Sequence, residues 1–194
     1  MNIAFLASHN GSAAKAVTEA CLGGVLPADA VLLISNNPDS KAIAWAKDLH
    51  LKTAVINASN AADPDLAIAG LLEDNAIDLV VCSGYMKLIG PKTIAVVHGG
   101  ILNVHPALLP KYGGKGMYGR HVHQAVFNAK DSETGITIHL VDGEYDHGKV
   151  IAQKKLPVAN GESAESIEEK VKAAEPSFYV ETISKILSGE ISLR

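Results

Sequence analysis

The first 22 residues, MNIAFLASHNGSAAKAVTEACL, contain the pattern that decides the predicted fold. Residues Ile3–Ala7 form a short apolar run typical of a buried strand, and a helix is predicted from Ala13 to Leu22. Between them lies a polar turn over residues 8–12 that contains Gly11. A buried strand that leads directly into a helix is typical of an α/β protein with a parallel sheet.

The same alternation continues over the first hundred residues. Further strands are predicted at Ala30–Ser35, Thr53–Ile56, Asp78–Cys82 and Ile101–Val104. The helices between them are predicted at Ser40–Leu49 with Ser40 or Asp39 as N-cap, from Asp63-Pro64 onward, and after Pro91. Apolar strands that alternate with helices predict a parallel sheet covered on both faces, so we expect a doubly wound, Rossmann-like α/β sheet.

The pattern changes after Val104. The elements predicted beyond it are a helix at Tyr118–Ala129, an antiparallel hairpin of Gly135–Val141 and Lys149–Val158, and a helix at Ser163–Leu187. Ser163 or Ser166 is expected to cap the last helix, and Pro176 is expected to kink or break it. No repeat or low-complexity linker divides the sequence, so residues 1–194 are predicted to form a single domain whose sheet is mostly parallel.

The composition excludes several classes of protein. The chain has 194 residues, 47% of them hydrophobic and 20% charged, and its net charge of −4 is too small for an intrinsically disordered chain. A pI near 6.0 argues against a dedicated binder of nucleic acid or of membrane surfaces. No stretch approaches the roughly 18 apolar residues of a membrane span, and the N-terminus lacks the basic flank of a signal peptide. A cytoplasmic protein is therefore expected.

Metal binding is not expected, although five of the eight histidines fall between His105 and His147. His121 and His123 lie two residues apart in a predicted helix, so they would not face the same way. The two cysteines are too few for a disulfide scaffold or a zinc cluster.

The end of the fifth predicted strand carries polar residues that suit acyl-transfer chemistry. Asn103 and His105 alternate along the strand, so their side chains project from the same face, and Pro106 ends the strand just beyond them. An amide that faces a developing oxyanion, beside an imidazole that exchanges protons near neutral pH, suits acyl transfer. The alternative interpretation is a capping asparagine and a surface histidine.

A carboxylate that orients the imidazole would complete such a site. The acidic turn between the two hairpin strands offers Asp142, Glu144 and Asp146, and spacing alone leaves open which of them points inward. A solvated hairpin tip without any function is the alternative. His139 alternates with apolar neighbours along its strand, and a structural role is predicted for it.

Two segments that contain glycine are candidates for ligand contacts. Asn10–Ala13 leads into a helix, where free N–H groups and the helix dipole favour a phosphate or a carboxylate; an ordinary strand-to-helix turn is the alternative. Residues 112–119 are rich in glycine but lack the Lys-Ser/Thr pair of a phosphate loop, so a mobile loop beside the site is predicted.

The segment Asn103-Val104-His105-Pro106-Ala107-Leu108-Leu109-Pro110 resembles the Asn-x-His-Pro-Ser/Ala-Leu-Leu-Pro signature of the folate-dependent formyltransferases. The similarity also includes Ser83–Ile89, Gly135–His139 and Asp146, and it extends over essentially the whole chain. The resemblance implies the formyltransferase fold and transfer of the formyl group of 10-formyltetrahydrofolate to the amine of glycinamide ribonucleotide, a step of purine biosynthesis. It implies 10-formyltetrahydrofolate as co-substrate and no metal.

The resemblance also implies roles for individual residues. Asn103 would hydrogen-bond the oxyanion, His105 would stabilise it and move protons, and Asp146 would hold His105 directly or through water. The implied ribonucleotide contacts are Gly11, Ser12, Ala13, Lys172 and Glu175. The implied folate contacts are Met86, Lys87, Leu88, Ile89, Asn103, Val141 and Asp142.

The chain departs from the usual family pattern at several positions. Ala13 stands where asparagine is common, His147 where glycine is usual, and Lys172 where a polar amide is more usual. No Lys or Arg lies between Lys52 and Lys87, where family members often carry a basic folate contact. The alternatives are a formyltransferase that acts on another small amine, such as an amino sugar nucleotide, and a non-catalytic folate-binding relative. The small-molecule substrates are compatible with a monomer or a homodimer.

Overall fold

The predicted alternation of strands and helices is present in the computed structural model, which describes residues 1–193. The strands are β1 (Asn2–Leu6), β2 (Asp29–Ser35), β3 (Lys52–Val55), β4 (Leu79–Cys82), β5 (Ile101–His105), β6 (Glu133–Leu140) and β7 (Val150–Pro157). The helices are α1 (Ser12–Leu22), α2 (Lys41–Asp48), α3 (Pro64–Asp74), α4 (Pro91–Val96), α5 (Arg120–Ala129) and α6 (Ala164–Leu187).

Within the described residues the strands form one seven-stranded sheet in the order β3-β2-β1-β4-β5-β6-β7. The first five strands are parallel, and β6 and β7 continue the sheet as antiparallel neighbours of β5. The predicted mostly parallel, doubly wound sheet with a C-terminal antiparallel hairpin is therefore confirmed. Since the order reverses between β1 and β4, the carboxyl ends of these strands form the edge at which open α/β sheets bind ligands.

Both faces of the central strand β1 are buried, because its side chains alternate between two cores. Ile3 and Phe5 belong to a cluster that includes side chains of α1, α2 and α6, whereas Ala4 and Leu6 belong to a cluster with side chains of α3. Burial on both faces explains why the strand is a continuous apolar run instead of an alternating one. None of the described helices is long and apolar enough to cross a membrane.

The helix ends settle two choices that the sequence left open. The side chain of Ser40 caps α2 by accepting a hydrogen bond from the Ile43 N–H, and Ser163 caps α6 by accepting one from Ser166. Helix α6 continues through Pro176, so the predicted break does not occur. Buried residues on both sides of the proline, Val171 and Tyr179, pack against the core and favour one continuous helix over two separate ones.

Tyr179 joins α6 to the sheet through its hydroxyl group. The side chain is fully buried, and its hydroxyl donates to the carbonyl oxygens of Leu102 at 3.0 Å and Cys82 at 3.4 Å. These carbonyls belong to neighbouring strands β5 and β4, so the contact fixes α6 near the strand that carries the polar pair.

We expect Tyr179→Phe to lower the free energy of unfolding by about 1–2 kcal/mol, because it removes a buried hydrogen-bond donor without changing the ring. Urea denaturation measures the difference. The matched control is Tyr118→Phe, whose side chain is exposed and which should change stability by less than about 0.5 kcal/mol. Equal losses in both variants would contradict the role of the Tyr179 hydroxyl.

Candidate active site

The loops after β1 and β4 meet at the carboxyl edge of the sheet. The backbone N–H of Ser8 donates to the carbonyl of Gly84 at 3.1 Å, and the Ser8 hydroxyl accepts from the N–H of Met86 at 2.8 Å. These bonds place the turn before α1 beside the segment 84–89. The two segments that the sequence assigned to different ligands are therefore neighbours.

The register between β5 and β6 determines which side chains face each other. Asn103 lies opposite His139, and His105 lies opposite Thr137. Residues paired across antiparallel strands project their side chains from the same face of the sheet. The predicted common face of Asn103 and His105 is thus present, and His139 lies on it as well.

His105 is buried between two oxygen acceptors. Its Nδ1 lies 3.3 Å from Oδ2 of Asp146, and its Nε2 lies 2.8 Å from the carbonyl oxygen of Tyr112. An imidazole has two N–H donors only in its protonated form, so only the imidazolium donates to both neighbours. The two contacts hold the ring of His105 in one orientation at the end of β5.

Asp146 is the acidic residue of the turn that points inward. Burial alone raises the pKa of Asp146, but hydrogen bonds with His105 and His139, the charge of His105 and a bond from the Gly114 N–H outweigh it. The pKa of Asp146 is consequently held well below its usual range, and the carboxylate is ionised at neutral pH. Gly113 permits this approach, because a Cβ at that position would lie 2.5 Å from Leu109 and 3.3 Å from Asp146.

His139 belongs to the site, although the sequence predicted a structural role for it. Its Nδ1 lies 2.9 Å from the carbonyl oxygen of Leu140, and its Nε2 lies 3.2 Å from Nδ2 of Asn103 and 3.5 Å from Oδ1 of Asp146. With Nδ1 donating to Leu140, a neutral ring accepts from the Asn103 amide at Nε2, whereas a protonated ring donates to Asp146. Within residues 1–193, no group of three or more His, Cys, Asp or Glu side chains could hold a metal ion.

The loop after β5 is anchored to β6 and β7, and this anchoring fixes the Tyr112 carbonyl against His105. The Thr137 hydroxyl donates to the carbonyl of Ala107 at 2.6 Å and accepts from the N–H of Leu109 at 3.0 Å. The Gln153 amide donates to the Leu109 carbonyl at 2.9 Å. Since Thr137 lies opposite His105 in the ladder, one register positions both the histidine and the loop that contacts it.

The turn before α1 has the geometry of a helix N-terminus with free donors. Gly11 is the N-cap residue and contributes no side-chain cap, and α1 has no acidic residue in its first turn. The N–H groups of Ser12 and Ala13 belong to the first turn, where they have no partner within a helix. Such an end favours an anion through its N–H groups and its dipole.

Lys172 and Glu175 lie on α6 within two turns of Tyr179, whose hydroxyl contacts the Cys82 carbonyl at the end of β4. Glu175 precedes Tyr179 by one helical turn, and burial raises its pKa to about 7 while the charge of Lys172 opposes the rise. Lys172 pairs with Glu168 at 2.5 Å, and its side chain is exposed. Burial lowers the pKa of the nearby His123 on α5, and the charges of Glu168 and Lys172 on α6 contribute less to its shift.

The predicted folate contacts divide into exposed and buried groups. Met86, Lys87 and Leu88 are exposed, whereas Ile89 is buried in the core. Val141 packs against the same core cluster as Tyr85, so the turn after β6 and the segment 84–89 share one apolar base. Asp142 is exposed at the rim of this turn, where its carboxylate contacts His147.

Comparisons with known proteins agree with this geometry. The profile of the formyl transferase family matches residues 1–183. A phosphoribosylglycinamide formyltransferase of Haemophilus influenzae is 36% identical to this chain over 195 residues, covering 99% of this chain and 90% of its own. The corresponding protein of Escherichia coli is 32% identical, covering 100% of this chain and 90% of its own.

A solved structure has the same fold. The phosphoribosylglycinamide formyltransferase of Bacillus halodurans superposes with a TM-score of 0.87 at 30% sequence identity, covering 97% of this chain and 96% of its own. The formyltransferase fold expected from the Asn103–Pro110 signature is thereby confirmed. Sequence profile, full-length relatives and superposition agree, and the chain belongs to the formyl transferase family.

Proposed function

We propose that this protein transfers the formyl group of 10-formyltetrahydrofolate to the amine of glycinamide ribonucleotide, as a phosphoribosylglycinamide formyltransferase of purine biosynthesis. The observation that carries the proposal is the buried contact of His105 with Asp146 beside Asn103, in a chain that matches the formyl transferase family over residues 1–183. The full-length relatives that bear this name support the choice of substrates.

In the proposed reaction the substrate amine attacks the formyl carbon and forms a tetrahedral intermediate. The Asn103 amide donates a hydrogen bond to the oxyanion of this intermediate, and charge on His105 stabilises it further. The bond between the formyl carbon and the folate nitrogen then breaks. Protons pass from the attacking amine to the departing nitrogen with His105 as the shuttle.

Asp146 and His139 act on the two residues that touch the reacting atoms. The ionised Asp146 carboxylate holds His105 in place and stabilises its positive charge, which is the role of the third group in other acid–base sites. His139 accepts from the Asn103 amide and fixes its orientation, leaving the second amide hydrogen for the oxyanion. His139 is thus proposed as a positioning residue.

The two substrates are proposed to bind on either side of this cluster. The phosphate of the ribonucleotide lies on the N–H groups of Gly11, Ser12 and Ala13, with Lys172 and Glu175 facing the same substrate. The folate lies between the segment Met86–Ile89 and the turn that contains Val141 and Asp142. The Ser8 bonds between the two loops support binding of both substrates at one edge.

The proposed activity predicts that the purified protein releases tetrahydrofolate only when both 10-formyltetrahydrofolate and glycinamide ribonucleotide are present. Absorbance measurements follow the release. A parallel panel of amino sugar nucleotides is the comparison, because Ala13 stands where the family commonly has asparagine. Turnover with an amino sugar nucleotide and none with glycinamide ribonucleotide would contradict the proposed substrate. Folate binding without turnover on any amine would contradict an enzymatic function.

We expect Asn103→Ala to lower kcat by about 10²–10³-fold, the usual cost of one oxyanion donor, and His105→Ala to lower it by about 10²–10⁴-fold. Steady-state kinetics with both substrates measure the losses. Asn128→Ala and His98→Ala change the same residue types at exposed positions outside the site and should leave kcat unchanged. Undiminished activity in either site variant would exclude the proposed mechanism.

Glu175 gives a prediction about pH and stability. The pKa of Glu175 in the folded protein is about 7, which is above the pKa of a glutamate in the unfolded chain. Ionisation of Glu175 therefore lowers the free energy of unfolding above the folded-state pKa. It has no effect below the pKa of the unfolded state. Glu175→Gln should therefore stabilise the protein by about 2 kcal/mol near pH 8, with the gain vanishing toward about pH 4. Thermal unfolding across this range measures it.

The exposed Glu169→Gln on the same helix is the control and should change stability by less than about 0.5 kcal/mol. If Glu175 also contacts the ribonucleotide, Glu175→Gln weakens binding of glycinamide ribonucleotide in calorimetric titration while stabilising the free protein. A destabilised Glu175→Gln protein near pH 8 would contradict the raised pKa.

Three further predictions concern the domain organisation, the location and the oligomeric state of the protein. Residues 1–194 are proposed to form one formyltransferase domain that works in the cytoplasm on small-molecule substrates. A monomer and a homodimer are both compatible with a site built from one chain, and sedimentation analysis distinguishes them.

A further inference from the structure

The turn between β6 and β7 contains a second carboxylate–imidazole contact besides the one at His105. Oδ2 of Asp142 lies 2.7 Å from Nδ1 of His147, and Oδ1 of Asp142 accepts from the N–H of Glu144 at 3.1 Å. One carboxylate therefore binds both sides of the turn. Asp146 lies between Glu144 and His147 in the chain, and its side chain enters the site.

The backbone of the turn adopts an unfavourable conformation at Asp146, which contacts within the turn must hold in place. Asp146 has a φ of 56°, in the left-handed region that is unfavourable for residues other than glycine, although aspartate tolerates it better than most. At the base of the turn, a Cβ at Gly148 would lie 1.9 Å from the carbonyl oxygen of Leu140, so the chain passes too closely there for any side chain. The tip of the turn is held instead by the contacts of the Asp142 carboxylate with His147 and with the N–H of Glu144.

We propose that Asp142 and His147 form a positioning pair that holds the turn in the conformation in which Asp146 contacts His105. This inference rests on the proposed function, since it concerns the geometry of the same site. It gives His147 a role although it stands where the family usually has glycine. It also gives the Asp142 carboxylate a function within the turn in addition to the proposed folate contact.

The charges around Asp142 and His147 make the strength of their contact depend on pH. The hydrogen bond with Asp142 raises the pKa of His147, and the charges of Asp142 and Glu144 add to this rise. The same bond lowers the pKa of Asp142. The ionic pair is therefore complete between the pKa of Asp142 and the pKa of His147, and it weakens as pH rises through the pKa of His147.

Other charged groups near the turn have partners of their own. Asp146 faces His105, and the ammonium of Lys149 lies 3.5 Å from the carbonyl oxygen of Ser192. The titration that we expect to change the turn is consequently that of His147 against Asp142 and Glu144. Because both members of the pair are exposed, its contribution to global stability is small, and its effect is expected in kcat.

The test compares His147→Ala, which removes the contact, with His147→Asn, whose amide places a donor near the position of Nδ1 but does not titrate. We expect His147→Ala to lower kcat by about three- to tenfold, with KM for glycinamide ribonucleotide changed by less than about twofold. His147→Asn should recover most of kcat. Because asparagine does not titrate, any part of the pH dependence of kcat that comes from His147 should be absent from His147→Asn. The exposed His98→Asn is the matched control.

Carbon-detected NMR of the Asp146 carboxyl group provides a readout that needs no turnover. The pKa of Asp146, held well below its usual range, should rise toward that range in His147→Ala and stay low in His147→Asn and His98→Asn. If the unsubstituted protein lacks formyl transfer but the Asp146 titration responds, the proposed function fails and the positioning pair stands. An active protein in which neither kcat nor the Asp146 titration responds to His147→Ala overturns the pair.

Discussion

The contact between His105 and Asp146 is the interaction on which the rest of the site depends. An ionised carboxylate with little solvent around it persists only where donors surround it, and here the donors come from two separate segments. Strand β5 supplies His105, and the glycine-containing loop supplies the Gly114 N–H. The sheet, the loop and the turn are thus held together by one negative charge.

The order of strands explains why these segments can meet. A parallel strand that ends in a loop directs its last side chains to the carboxyl edge, and the antiparallel neighbour β6 returns its own residues to the same place. His139 of β6 can then orient the Asn103 amide, while the backbone of Asn103 remains part of the sheet. Groups placed on rigid strands hold their geometry better than groups on loops.

Much of this could be predicted from the sequence, and the exceptions have physical reasons. The strands, and the common face of Asn103 and His105, follow from local alternation, which needs no knowledge of distant residues. Spacing left the choice among Asp142, Glu144 and Asp146 open, because the left-handed conformation of Asp146 depends on contacts with other segments. The role of His139 depends on the register between β6 and β5, which local alternation does not give. The alternation that places His139 on the same face as Thr137 was the available signal. The effect of Pro176 was overestimated, since local propensity does not include the packing of Tyr179.

Helix α6 has a consequence for the order in which the protein is made. Its side chains Tyr179 and Ile183 complete the core that begins with Ile3 and Phe5 in the first strand. A ribosome synthesises the first strand long before residues 164–187, so the part of this core that α6 covers stays exposed for most of translation. The apolar core of the nascent chain is therefore completed only when the last helix emerges.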